Sequence, residues 1–163
     1  MTAFVSAGSK LSLSKDAPSS FDQTGFESLT YTDIAEIENA GTVGGSWGMT
    51  SHTAIDSLGT QDYKTVKSGT EISLSLAFDP TDAGQNMLQE AFDSVQAYSV
   101  KITLSTGYVI YAVAKVGSFD VELGTADAIT KASANLKLQP QKDGTFWVQV
   151  SPVAIKAPKV KNV

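Results

Sequence analysis

The 163-residue sequence contains no cysteine, its 12 basic residues are all lysine, and it has one histidine. Without cysteine, disulfide frameworks, cysteine-ligated zinc, iron–sulfur clusters and thiol nucleophiles are excluded. Without arginine, the planar fork that grips phosphate or guanine in two places is missing, so sequence-specific nucleic-acid recognition is not expected. With His52 alone, multi-histidine metal sites are ruled out, and a Ser/His/Asp triad has a single possible base. Its setting, Thr50-Ser51-His52-Thr53, carries no nucleophile elbow and reads as an ordinary loop or strand histidine. Long apolar runs are also missing. None approaches the roughly 20 residues of a membrane helix, and the start, MTAFVSAGSK, lacks a basic segment followed by an apolar one. A soluble chain without export signal or membrane partner is expected.

What is present is 42% hydrophobic and 18% charged, with 13 glycines. That composition fits one domain, large enough to bury roughly 70% of its unfolded surface without staples. The organisation read from the sequence is a single β domain over residues 1–152 and a Lys/Pro-bearing C-terminal arm over 153–163. Seventeen acids give a net charge of −5, and Lys156, Lys159 and Lys161 lie in a terminal stretch without acids, so the remainder carries −8. Such a body repels polyanions.

Hydrophobic periodicity locates the elements. Leu11 and Leu13 alternate with Ser12 and Ser14, and residues 29–34 alternate likewise, as in short strands of a half-exposed sheet. Asn39 to Ser51 holds Gly41, Gly44, Gly45 and Gly48 around Trp47 and reads as an extended loop. With the polar stretch Asp56 to Gly69, it makes most of residues 39–70 irregular. Ile72, Leu74, Leu76 and Phe78 alternate with Ser73, Ser75 and Ala77, a strand. Asp79-Pro80-Thr81-Asp82 ends it and opens a helix over Asp82 to Gln96, with the apolar stripe Leu88, Ala91, Phe92 and Val95 and a capping-box offset from Asp82 to Gln85. Tyr98 to Leu104 and Tyr108 to Lys115 flank Gly107 as a hairpin. Three further strands are expected around Phe119 to Leu123, Lys131 to Leu138 and Phe146 to Val150. Seven or more short strands with one helix describe a mainly β fold, a β-sandwich or partly closed barrel with one flanking α-helix and long loops.

Chemistry-bearing constellations are sparse. Asp79 and Asp82 lack the regular ligand spacing of a calcium loop and are explained by helix capping. Glu36 and Glu38 share a face if their segment is a strand, where solvated carboxylates are ordinary, and the glycines of 41–48 lack the phosphate-binding spacing between strand and helix. No cofactor, metal or catalytic residue is expected. Trp47 amid glycines needs cover, either from its own domain or from another chain. The hydroxyls at Ser73, Ser75, Thr103 and Ser105 mark solvent-exposed faces, or the lining of a channel or partner strand.

The order of strand Ile72 to Phe78, the turn Asp79-Pro80-Thr81-Asp82-Ala83-Gly84-Gln85, a helix and a hairpin through Gly107 resembles the major tail tube proteins of long-tailed, non-contractile bacteriophages. The approach Lys67-Ser68-Gly69-Thr70 and the motif Ala54-Ile55-Asp56-Ser57-Leu58 extend the likeness over residues 25 to 140. The resemblance implies a structural virion protein that is not an enzyme. Its fold would be shared with the type VI secretion tube protein, and its subunits would form homohexameric rings, stacked as a conduit for genome ejection. The implied partners are further copies of itself, the tape measure, tail terminator and tail tip proteins, and double-stranded DNA passing without specific binding. The implied location is the virion tail, assembled in the host cytoplasm. Within that picture Glu36, Glu38, Asp120 and Glu122 are candidates for the lumen, and Gly44, Gly45, Trp47, Asp62 and Tyr63 for subunit contacts. The 153–163 arm would order on assembly. The alternative reading is a β-sandwich carbohydrate- or surface-binding module, which calls for a platform of exposed aromatics.

Overall fold

The computed structural model describes residues 3 and 5–152; the expected arm over 153–163 lies outside the described residues. Strands β1 (Lys10–Ser14), β2 (Thr32–Asp33), β3 (Ile37–Asn39), β6 (Glu71–Ala77), β7 (Tyr98–Thr103), β8 (Val109–Glu122) and β9 (Lys131–Leu138) form one antiparallel sheet in the order β2-β1-β7-β8-β9-β6-β3. β10 (Trp147–Val150) also pairs with β8. The two edge strands, β2 and β3, are separated in the chain by only Ile34 to Glu36, so the sheet curls into a partly closed barrel. Two further strands, β4 (Gly45–His52) and β5 (Gln61–Gly69), pair only with each other. Helix α1 spans Gln23–Glu27 and helix α2 spans Ala83–Asp93.

The strands with clean alternation behave as the period predicts. On β6, Ile72, Leu74 and Leu76 are buried, and across the register Leu136, Ala134 and Ala132 of β9 meet them on the same face. Leu88 and Ala91 of α2 join this core, together with Val100, Ala112 and Ala114. The helix is shorter than the sequence stripe, because Ser94 adopts an extended conformation; Phe92 and Val95 stay 43% and 83% exposed.

Helix α2 closes the barrel seam with its first turn. Asp82 caps the helix by accepting the backbone N–H of Gln85 at 2.8 Å, and the same carboxylate accepts the Ala35 N–H. The reciprocal half of the expected capping box is absent. Gln85, 2% exposed, instead donates its amide to the carbonyls of Ala35 and Ala77 and accepts the Asp79 N–H. Ala35 lies between the edge strands, so this one side chain ties the seam to β6. Glu36 turns the corner there at φ 58°, its carbonyl accepting the Ala77 N–H. Gly84 has no room for a side chain, since a Cβ would sit 2.2 Å from the Asp33 carbonyl oxygen.

Four other expectations are corrected. Of residues 29–34, only Thr32 and Asp33 are strand. The segment before them forms α1, too short for a periodic signal, capped by Asp22 and anchored by Phe26. The β1 serines are not half-exposed: Ser12 donates to Asp33, and Ser14 accepts the Asp16 N–H, beneath the 15–31 segment. That segment also stacks Phe26 on Tyr111, ring centroids 5.3 Å apart, and burial pushes the phenols of Tyr31 and Tyr111 upward. Phe119 to Leu123 is not a separate strand: Phe119 to Glu122 continue β8 past an irregularity between Val116 and Ser118, where Gly117 lies, and Leu123 follows it. Residues 45–52 and 61–69 are regular strands, not loop.

Candidate functional site

Strands β4 and β5 form a two-stranded arm that leaves the barrel between β3 and β6. Both of its faces are exposed, and burial is reached only at its root, where Gly69 packs on Leu138. A ribbon wet on both sides carries no hydrophobic alternation, which is why the sequence shows no period there. The pairs Trp47↔Lys67, Met49↔Lys64 and Ser51↔Asp62 set one face, and Thr50↔Tyr63 and His52↔Gln61 the other. Between Trp47 and Met49 the register shifts, β5 inserting one extra residue opposite Gly48. Beyond the strands, Ile55 and Leu58 at the tip are fully exposed.

The predicted contact residues are distributed along this arm. Trp47, 45% exposed, lies under two ammonium groups: Lys64 at 5.4 Å and Lys67 at 5.6 Å from its ring centroid. Asp62 accepts the Ser51 hydroxyl, and the Tyr63 hydroxyl donates to Gln61 on the opposite face. Gly44 and Gly45 stand at the root. The Gly44 carbonyl accepts the Thr70 N–H, and the Gly45 backbone lies so close to the Phe146 ring that a Cβ would approach it to 2.0 Å. Lys67 also reaches the Phe146 ring, at 4.7 Å, and Phe146 meets Trp147 edge-on. Asp143, in the turn facing the root, has its carboxyl held below the usual range by the Thr145 backbone N–H and hydroxyl, with Lys67 adding to the effect. Lys67 is not among the predicted contact residues, because its neighbours come from two separate segments, at Trp47 and at 143–146.

A second surface is the outer face of β8, β9 and β6. Its rows are Lys115↔Lys137↔Glu71, Ser118↔Asn135↔Ser73, Asp120↔Ser133↔Ser75 and Glu122↔Lys131↔Ala77, small polar side chains bordered by charge at both ends. Lys131 pairs with Glu38 at 2.7 Å, so Glu38, Lys131 and Glu122 gather at one end. Three of the four predicted lumen candidates, Glu38, Asp120 and Glu122, thus share this polar wall. Glu36 stands apart, at the left-handed corner of the seam. The sequence marked Ser73 and Ser75 as hydroxyl-rich, whereas Thr103 and Ser105 lie elsewhere; the Ser105 hydroxyl donates to Val5 near the barrel mouth. Among the described residues no group of three His, Asp or Glu side chains is arranged to hold a metal ion, and no helix is long and apolar enough to cross a membrane.

The architecture is thus a curled, mainly β barrel with one seam-closing helix and a protruding ribbon. The family model for phage tail tube protein matches residues 21–143, well over half of the chain, and the protein belongs to that family. Among solved structures, a chain of the 6-fold symmetrised anti-feeding prophage baseplate matches with a TM-score of 0.68 at 11% identity, covering 94% of this chain and 99% of that one. A chain from the C6-symmetric tail of the empty gene transfer agent particle matches with a TM-score of 0.57 at 15% identity, covering 80% and 92%. The SPP1 tail tube matches with a TM-score of 0.52 at 11% identity, covering 79% and 72%. At these identities the likenesses establish the fold. A search of the curated proteins finds no match.

Proposed function

We propose that this protein is the major tail tube subunit of a long, non-contractile phage tail, a structural and non-catalytic role. Six copies close a ring, and rings stack into the conduit through which double-stranded DNA leaves. The tape measure, tail terminator and tail tip proteins are its further partners, and assembly takes place in the host cytoplasm. The observation that carries this reading is the arm. A lone two-stranded ribbon is marginal in water, and this one exposes Trp47, Met49, Tyr63 and Val66 along its length as well as Ile55 and Leu58 at its tip. Neighbouring subunits supply the missing cover. The six-fold symmetry of the gene transfer agent tail, a family-like fold, supports the ring number.

The polar wall of β8, β9 and β6 suits the lumen. It offers hydroxyls, Asn135 and carboxylates, with Lys131 partly neutralised by Glu38 and with Lys115 and Lys137 beside Glu71 in the row at its other end. A wall that neutralised phosphates would retain DNA, whereas Asp120 and Glu122 repel it. Negative-stain electron microscopy of the concentrated protein tests the reading: rings or tubes with an open six-fold lumen are expected. Closed particles without a channel would overturn it in favour of a surface-binding module.

A further inference from the structure

The arm joins the barrel through a narrow root. Its last rung is the Thr70 N–H on the Gly44 carbonyl, and the Thr70 carbonyl in turn accepts the Leu138 N–H of β9. Gly45 and Gly69 pass close to Phe146 and Leu138 at positions where no side chain fits. These contacts lie at the pivot, so they fix where the ribbon leaves the barrel and have little leverage over its angle. Further out, the side-chain hydrogen bonds run within the ribbon itself, between Ser51 and Asp62, Thr53 and Thr60, and Tyr63 and Gln61. An open groove of about 280 Å³ separates the ribbon, at Trp47, Thr65 and Val66, from the 140–144 turn.

Lys67 spans from ribbon to barrel at the inner end of this groove. It is half-buried where its neighbours Val66 and Ser68 are exposed, and its ammonium lies 5.6 Å from the Trp47 ring centroid and 4.7 Å from that of Phe146. Phe146 is a fixed anchor, buried in the barrel core and met edge-on by Trp147 at 4.9 Å. The turn flanks the lysine stem: a Cβ on Gly144 would stand 3.5 Å from the Lys67 Cδ, and the Asp143 carboxyl is held low by Thr145 and then by Lys67. We infer that Lys67 is a brace that sets the angle of the arm on the barrel in the free subunit. For its purpose the inference rests on the tube reading, because an arm already held at one angle loses less conformational entropy on meeting its neighbours, and assembly begins at a lower concentration. A half-buried ammonium between two ring faces is held more strongly than an exposed one, since water competes less for it. Lys64 provides the contrast. Its ammonium lies 5.4 Å from the same Trp47 ring, but the residue is exposed and pairs with Met49 inside the arm.

The cysteine-free chain permits a direct test. Spin labels on Leu58→Cys at the arm tip and Lys115→Cys on β8, both exposed, report the spacing of tip and barrel by pulsed electron spin resonance, at a concentration where light scattering gives the monomer mass. One narrow distance distribution is expected with Lys67 in place. Lys67→Gln should broaden it, Lys67→Arg should restore it, and Lys64→Gln should leave it narrow, all with the urea midpoint of the body unchanged. In unlabelled protein Lys67→Gln should raise the concentration at which tubes appear about fivefold, and Lys67→Arg should not. A distribution that is broad with Lys67 in place, or that stays narrow in Lys67→Gln, would overturn the inference. Equal broadening by Lys64→Gln would do the same, by showing that charge over Trp47 matters and the bridge to Phe146 does not. A lowered urea midpoint in Lys67→Gln would put Lys67 with the barrel core instead, and broadening without a raised tube threshold would remove its purpose in assembly. Channel-less closed particles overturn the tube reading and leave the brace, because the spacing is read on the monomer.

Discussion

The barrel and the arm are built from strands of similar length, seven and eight residues in β6 and β9 against eight and nine in β4 and β5, yet they solve opposite problems. In β6 and β9 every second side chain is buried, and cross-strand pairs such as Leu74↔Ala134 stack into one core. In the arm the strands pair along their length, with one register shift at Gly48 and almost no burial, and contacts such as Trp47 under Lys64 and Lys67 hold its side chains. The barrel's apolar surface is covered by its own chain, whereas the arm's is left exposed. Two regions of one chain, equally regular in hydrogen bonding, are thus separated by where their apolar surface goes.

Breaking the barrel should give the largest effect. Leu136→Ala, at a fully buried site facing Ile72, is expected to cost about 3 kcal/mol of monomer stability, read by urea unfolding. Gln85→Leu follows: it orphans the Ala35 and Ala77 carbonyls and the Asp79 N–H, and about 2 kcal/mol should be lost, together with amide-exchange protection at Ala77 and neighbouring seam residues. On the arm the pattern inverts. Trp47→Ala should change the cooperative unfolding of the body by no more than about 0.5 kcal/mol while shortening or abolishing tubes in electron micrographs. A large loss of monomer stability would instead put Trp47 with the barrel core.

The smallest effect is a pH dependence. The carboxyls of Asp22, Asp79 and Asp143 are held low, Asp22 mainly by the Gly25 N–H, Asp79 mainly by the Thr81 hydroxyl and Asp143 mainly by the Thr145 N–H. Each is ionised in the fold at pH values where the unfolded chain already binds protons. Their contribution is therefore complete above about pH 4 and is lost as pH falls through the lower folded values. A melting temperature that is flat from neutral pH to about 5 and declines below 4 is expected, with Asp143→Asn flattening the decline.

The legibility of the chain follows the same division. Strands β6 and β9 and helix α2 were readable because each has one buried face, which writes period 2 or 3.6 into the residues. The arm reads as loop in the sequence because neither of its faces is buried. The continuity of β8 was hidden by the irregularity at Gly117, and the stripe of α2 was overextended because Phe92 and Val95 are apolar without being covered by their own chain. At the candidate surfaces, Trp47, Asp62 and Tyr63 were singled out, but Lys67 was not, since its neighbours Trp47, Asp143 and Phe146 are distant in sequence.

By itself the sequence determined the exclusion of thiol and multi-histidine chemistry, the acidic balance, the fold class and the order of the core strands and main helix, all properties of composition or local period. Only the tertiary structure decided that residues 45–69 form a paired arm, that Gln85 ties the barrel seam, and that Glu38, Asp120 and Glu122 share one wall while Glu36 does not. Those features depend on which distant segments become neighbours, and pairing across a curled sheet is fixed by the packing of the whole core.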